Sequence, residues 1–192
     1  MSETIEIEFK NILTKDEYEI LLKEFNVEEK QIITQNNHYF DTPDFALKNL
    51  GSALRIREKY EHYEMTLKQP ATVGLLETTQ HLSVNEFQTA IQYGKLPTGK
   101  IHDGIEQLDI SFNSIAYFGS LLTKRAEFPY KIGLLVLDHS FYLNNEDYEV
   151  EYEVEDFQLG QSAFQELLKQ YGIPIRKTLN KIARFYQQKH SS

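Results

Sequence analysis

The chain of 192 residues contains no cysteine. Disulfide stapling and thiolate metal sites are therefore excluded, and the composition is compatible with a reducing compartment. Basic residues are scarce: 20 Lys and Arg stand against 29 Asp and Glu, for a formal charge of -9. That balance argues against a non-specific nucleic-acid binder, whose surface would be basic, but leaves room for a local basic pocket. Long apolar runs are missing too, and none approaches the roughly 20 residues of a membrane span. The segment Met1 to Glu6 is acidic where a secretory signal would be basic and then apolar. A cytoplasmic protein with no nucleic-acid or membrane partner is the expectation. Internal repeats and low-complexity linkers are also lacking, so residues 1–192 are expected to form a single domain, long enough to bury a sizeable core.

What the chain does have is charge at period two. Alternate residues of a strand point to opposite faces. Glu6, Glu8 and Lys10 therefore share one side of the first strand, and Ile5, Ile7 and Phe9 the other. Far along the chain, Glu149, Glu151, Glu153 and Glu155 alternate with Tyr148, Val150, Tyr152 and Val154. Neighbouring carboxylates repel, so such a face has little structural purpose unless cations neutralise it. Taken singly, each ladder would read as a solvated strand face. Bases occur in the same pattern, however. Arg55, Arg57 and Lys59 share one face of a strand whose other face carries Leu54 and Ile56. Glu64, Thr66 and Lys68 alternate with Tyr63, Met65 and Leu67.

Local signals place these strands among helices. Thr14-Lys15-Asp16-Glu17 and Ser83-Val84-Asn85-Glu86 are capping boxes, in which a hydroxyl and a glutamate satisfy backbone donors at a helix start. Tyr18, Leu21, Leu22 and Phe25 then form an apolar stripe at helical spacing. The spacing predicts strands over about Thr4–Ile12, Gln31–Thr42, Leu54–Lys59, His62–Lys68, Leu75–Leu82, Ser114–Phe128, Lys131–Leu143 and Asp147–Glu155, with a turn at Asn144-Asn145. Pro43 to Leu50 reads as a short helical turn, and Gly94 to Leu108 as a partly helical insert. Phe164, Leu167, Leu168 and Tyr171 mark a helix ended by Gly172 and Pro174. Leu179, Ile182, Ala183 and Tyr186 mark a last one, with Lys177, Lys181 and Arg184 as its basic face.

About eight antiparallel strands can close into a small barrel. The apolar strand faces match the apolar stripes of the helices, and the other faces are rich in both signs of charge. The expected fold is therefore α+β: a closed eight-stranded antiparallel barrel with a charged lumen and helices packed outside. Carboxylates and bases together in a lumen suit a polyanion bound with a hard divalent cation, Mg²⁺ or Mn²⁺, since guanidinium forks match phosphate oxygens.

The ordered set resembles the CYTH, or triphosphate tunnel metalloenzyme, family, and is closest to its small bacterial stand-alone members. The Glu-x-Glu-x-Lys strand is met by Glu6, Glu8 and Lys10. Tyr39-Phe40-Asp41-Thr42, Arg55 with Arg57, Thr66 with Lys68, Arg125, a strand-end Asp138, the glutamate ladder and Lys181 follow in family order. The ladder is longer than the family's pair, the Leu75–Leu82 strand has only Glu77 as an acid, and Asn180-Lys181 replaces a Ser-Lys pair. The resemblance implies hydrolysis of a small-molecule triphosphate, inorganic triphosphate being favoured, with release of phosphate. It assigns Glu6, Glu8 and Lys10 to catalysis, and Lys10, Arg55, Arg57, Lys68, Arg125 and Lys181 to the substrate. It assigns Glu6, Glu8, Asp138, Glu149, Glu151 and Glu153 to Mg²⁺ or Mn²⁺. Glu155 is left to solvent, and Asp41 reads as a turn residue. A thiamine or nucleoside triphosphatase, an adenylate cyclase and a non-catalytic polyphosphate- or nucleotide-binding module remain alternatives.

Gly94 to Lys100 has the spacing of a phosphate-binding loop, but Ile101 stands where a cation-binding hydroxyl belongs and a helix, not a strand, precedes it. The six histidines show no zinc-site spacing. On a repelling face, Glu8→Gln or Glu151→Gln is expected to abolish turnover while leaving the metal-free protein no less stable.

Overall fold

The computed structural model describes residues 2–191, with His190 and Ser191 described by backbone alone. Strands β1 (Ser2–Leu13), β2 (Ile33–Asp41), β3 (Ala53–Lys59), β4 (His62–Pro70), β5 (Leu75–Leu82), β6 (Ala116–Tyr130), β7 (Gly133–Tyr142) and β8 (Asn145–Val154) form a closed barrel in the order β1-β5-β4-β3-β2-β6-β7-β8. Every pairing given by register is antiparallel. Helices α1 (Lys15–Glu24), α2 (Ala46–Asn49), α3 (Val84–Tyr93), α4 (Lys100–Glu106), α5 (Phe157–Gln170) and α6 (Lys181–Ser191) accompany them. The chain divides into two compact units, Met1–Ile5 with Gln35–Leu121 and Glu6–Thr34 with Leu122–Ser192.

In the second unit, the apolar faces of β1, β8, β7 and β6 lie under α1 and α5. Phe9, Leu13, Val150, Tyr152, Leu135, Leu137 and Ala126 pack with Tyr18, Leu21, Phe164, Leu167 and Leu168 in one core. Both capping-box contacts at Thr14 and Glu17 are made, so α1 begins where its sequence directs. Helix α5 approaches the sheet closely at Gly160, where a Cβ would lie 2.4 Å from a Val154 methyl and 3.0 Å from the Phe9 ring. With the helices on the apolar side, charged side chains take the opposite face.

The first unit repeats the scheme. Phe40, Leu54, Ile56, Met65 and Leu67 pack with Leu47, Ala90, Ile101 and Ile105. The insert after Gly94 is thus helical at α4 and covers the sheet through Ile101 and Ile105. The β3–β4 hairpin turns at Tyr60 and Glu61, both left-handed at φ 49° and 60°. That is the sense that matches strand twist, reached here without glycine or asparagine. Asp41 is buried and accepts hydrogen bonds from the backbone of Thr42, Leu47 and Lys48 at 2.7–3.1 Å, so it caps α2.

Three local expectations are corrected. Asp138 lies in the middle of β7, not at a strand end. The turn before β8 falls at Leu143 and Asn144, one residue earlier than the paired asparagines suggest. Helix α6 starts at Lys181, with the Asn180 side chain accepting from the Ala183 backbone N–H, so Lys177 and Leu179 lie ahead of it in irregular chain. The seven positions from Pro174 to Asn180 form neither helix nor strand.

Candidate active site

Register decides which charges meet. β1 and β8 pair Glu8 with Glu153, Lys10 with Glu151 and Ile12 with Glu149. β8 and β7 pair Glu149 with Asp138, and β7 and β6 pair Asp138 with Arg125. Cross-strand neighbours lie about 4.5–5.5 Å apart at Cβ. One sheet face of the second unit therefore gathers Glu6, Glu8, Lys10, Arg125, Asp138, Glu149, Glu151 and Glu153. Lys181 and Arg184 reach it from α6.

Most of its acids are already matched by bases. The Arg125 guanidinium donates to both Asp138 oxygens at 2.8 and 2.6 Å and to Glu151 at 2.7 Å. Lys181 Nζ lies 2.8 Å from Asp138 and 2.8 Å from Glu149, and also donates to Glu151. Arg184 donates to Asp147 at 2.8 Å and to Glu149 at 2.7 Å. Asp138 and Glu149 are wholly buried and Arg125 is 8% exposed. Burial disfavours charge on Glu151, but Lys181, Arg125 and Lys10 outweigh it and hold the carboxyl well below the usual range. Asp138 is lowered likewise by Arg125 and Lys181 against its burial. The reciprocal effect is that burial is outweighed at Lys181 and Arg125, and both are held strongly protonated by these acids.

Glu153 is the exception. Burial, then Glu6, with smaller contributions from Glu151 and Glu8, raises its pKa to about 7 despite Arg125. Glu6, Glu8 and Glu153 each offer an oxygen within 4.8 Å of the others. Lys10 pairs with Glu8 and is held above its ordinary range, burial being overcome by Glu8, Glu151 and Glu149. Three carboxylate oxygens this close, one on a carboxyl that burial and its acidic neighbours raise to about 7, are a donor set that fits a hard divalent cation. Of the six carboxylates that the sequence points to as ligands, these three come together as such a set. Asp138, Glu149 and Glu151 instead engage Arg125, Lys181 and Arg184.

The first unit presents a second group. Arg55, Arg57 and Lys59 share a face of β3 with Tyr39 and Asn37 beside them on β2, and with Thr66, Glu64 and Lys68 on β4. Lys68 pairs with Glu77 across β4 and β5. Arg57 Nε donates weakly to Asn37 at 3.5 Å. Two buried polar atoms here, Arg55 Nε and Thr66 Oγ1, have no hydrogen-bond partner among the described residues. Glu155 lies past the end of β8 and is exposed.

Two participants carry little signal in the sequence. Arg184 falls on the expected basic face, but its partners Asp147 and Glu149 follow only from the placement of α6. Asn11 looks like an ordinary strand residue, yet it is fully buried on the helix-covered side of β1.

The CYTH domain model matches residues 4–186. The Bacillus subtilis (strain 168) protein YjbK, provisionally named a triphosphatase, is 51% identical over 192 residues spanning 100% of both chains. A Bacillus halodurans structure, of a protein provisionally named an adenylate cyclase, superposes with a TM-score of 0.94 at 43% identity, over 97% of this chain and 100% of that one. HpAC1 from Hippeastrum, described as having a dominant triphosphatase activity, superposes at a TM-score of 0.79 and 21% identity over 96% of each chain, a likeness of fold. The chain belongs to the CYTH domain family.

Proposed function

We propose that this protein hydrolyses a triphosphate, inorganic triphosphate foremost, with Mg²⁺ or Mn²⁺, and releases the terminal phosphate. The observation that carries this reading is the Glu6, Glu8 and Glu153 set beside Lys10, on the same sheet face as the paired bases Arg125 and Lys181. The triphosphatase name of a relative identical at 51% of positions supports it. Glu6, Glu8 and Glu153 are assigned to the cation. A divalent ion held there would supply Lewis-acid polarisation of phosphoryl oxygens and offset their charge.

The remaining roles belong to the chain's own residues. Lys10, Arg125 and Lys181 are assigned to phosphate oxygens, as are Arg55, Arg57 and Lys68. Asp138, Glu149 and Glu151 fix Arg125 and Lys181 in place by their ion pairs, and Glu8 does so for Lys10, which removes much of the ordering cost of receiving a substrate. Arg55 Nε and Thr66 Oγ1, buried without partners, suit acceptor oxygens brought by the substrate. Glu8, which pairs with Lys10, is assigned with Glu6 to orienting the attacking water.

Phosphate release, measured with Mg²⁺ or Mn²⁺ over inorganic, thiamine and nucleoside triphosphates, tests the reading. Rapid phosphate release from inorganic triphosphate is expected. Pyrophosphate with cyclic AMP from ATP would replace it with a cyclase, and tight binding without turnover would replace it with a binding module.

A further inference from the structure

Lys181 reaches its three carboxylates from the first residue of α6, yet the seven residues before it form no helix or strand. Apolar burial does not hold them: Ile175 is 73% exposed and Leu179 37%, and the buried apolar anchors on either side are Ile173, before Pro174, and Phe185, within α6. Polar contacts to the end of β1 take its place. The buried Asn11 side chain donates through Nδ2 to the Pro174 carbonyl at 3.1 Å and accepts through Oδ1 from the Arg176 backbone N–H at 2.7 Å. The Ile12 N–H donates to Thr178 Oγ1 at 2.8 Å, and that hydroxyl donates to the Arg176 carbonyl at 3.0 Å. Arg176 returns to β1 and α1, donating to the Ile12 carbonyl at 3.0 Å and to both Glu17 oxygens at 2.7 and 2.8 Å. Glu17 thus serves a helix cap and a guanidinium fork at once, and burial of its charge is outweighed by Arg176 and Thr14.

We propose that Asn11, Arg176 and Thr178 are positioning residues for triphosphate turnover, mooring residues 174–178 to the end of β1 so that Lys181 is delivered to Asp138, Glu149 and Glu151. The assignment rests on the role given to Lys181 above. Ile12 lies directly opposite Glu149 in the β1–β8 register, so the mooring fixes the approach of α6 to the strand its lysine must reach. Thr178 stands three residues before Lys181, and the contact leaves the chain little slack: three extended residues span at most about 11 Å. None of the three mooring side chains needs to touch substrate.

The test uses the intact chain and two readouts. Acetylation of Lys181 by acetic anhydride, followed by mass spectrometry, reports its shielding independently of activity. Thr178→Val, which keeps shape but removes the hydroxyl, is expected to raise that labelling and lower kcat, each by roughly five- to tenfold. Thr178→Ser should restore both, and Arg176→Lys, which keeps charge but loses the fork, should fail in the same direction as Thr178→Val. In a Lys181→Ala background, Thr178→Val should cost nothing further, because the two act as one unit. Unchanged labelling, or an equal further loss in that background, overturns the proposal in favour of a general structural role. Raised labelling with wild-type turnover in both Thr178→Val and Lys181→Ala also overturns it, and places the failure in the role of Lys181 rather than in the mooring.

Discussion

Glu151 and Glu153 stand on the same face of one strand and meet opposite environments. Glu151 is buried among Arg125, Lys181 and Lys10, and its carboxyl is held well below the usual range. Its stabilising contribution is present above the ordinary carboxylate pKa and is lost as the pH falls through the folded value. Glu153, raised to about 7 by burial and by Glu6, runs the other way. Between about pH 4.5 and 7 the folded chain keeps a proton that the unfolded chain gives up, so stability declines across that window and the loss is complete above it. Glu153→Gln is therefore expected to stabilise the metal-free protein by about 1–3 kcal/mol above neutrality, with no gain in acid. Glu151→Gln should destabilise it by about 3–5 kcal/mol, because buried Arg125 and Lys181 lose a counter-charge. Urea unfolding in chelator at several pH values measures both. The expectation drawn from a repelling face, that Glu8→Gln or Glu151→Gln leaves the metal-free protein no less stable, changes sign at Glu151, whose carboxylate is matched by buried bases. Sequence alternation places Glu151 and Glu153 on a charged face, but which one a base satisfies depends on Lys181 and Arg125, contributed from other elements.

At the scale of elements, regular patterns were legible and junctions were not. The alternation of β1, β3 and β8 and the capping boxes of α1 and α3 are local facts, and the structure forms each where its residues indicate. The start of α6 is set instead by contacts between residues more than 160 apart, such as Ile12 with Thr178, so periodicity extends the helix too far back. The set of Glu6, Glu8 and Glu153 likewise needs the β1–β8 register. The β3–β4 turn carries no glycine or asparagine, yet Tyr60 and Glu61 are both left-handed, at roughly 1–2 kcal/mol each for ordinary side chains. Replacing them with Asn-Gly is expected to raise stability by about 1 kcal/mol without altering turnover, read by thermal unfolding and phosphate release. The phosphate-loop lookalike resolves differently: α4 uses Ile101 and Ile105 for the core, while exposed Lys100 lies 3.7 Å from Glu3. Lys100→Ala should leave turnover unchanged. Arg57→Ala should weaken substrate binding by about 1.5–3 kcal/mol, as loss of a charge-assisted contact does. A damaging Lys100→Ala beside a silent Arg57→Ala would return the insert to consideration as the phosphate site.

For the molecule as a whole, a formal charge of -9 means that any cation relieves some self-repulsion, so a metal effect must be separated from screening. A specific site stabilises by mass action, about 2.7 kcal/mol at a free concentration one hundred times Kd. Mn²⁺ or Mg²⁺ is expected to raise the melting temperature with that logarithmic dependence, and sodium chloride at matched ionic strength should not reproduce it. The proton on Glu153 gives the effect a pH signature. Below about 7 a cation must displace that proton, so apparent affinity should fall by up to about tenfold per pH unit, and above it the affinity should level off. Calorimetric titrations in two buffers of unlike ionisation enthalpy would count the proton released, which should approach one per cation at about pH 6 and vanish near pH 9. Glu153→Gln should remove the slope while weakening binding. An affinity flat from about pH 6 to 8 in the unaltered protein would take Glu153 out of the cation site, since a carboxyl with a pKa of about 7 must give up its proton to ligate on the acid side of that window.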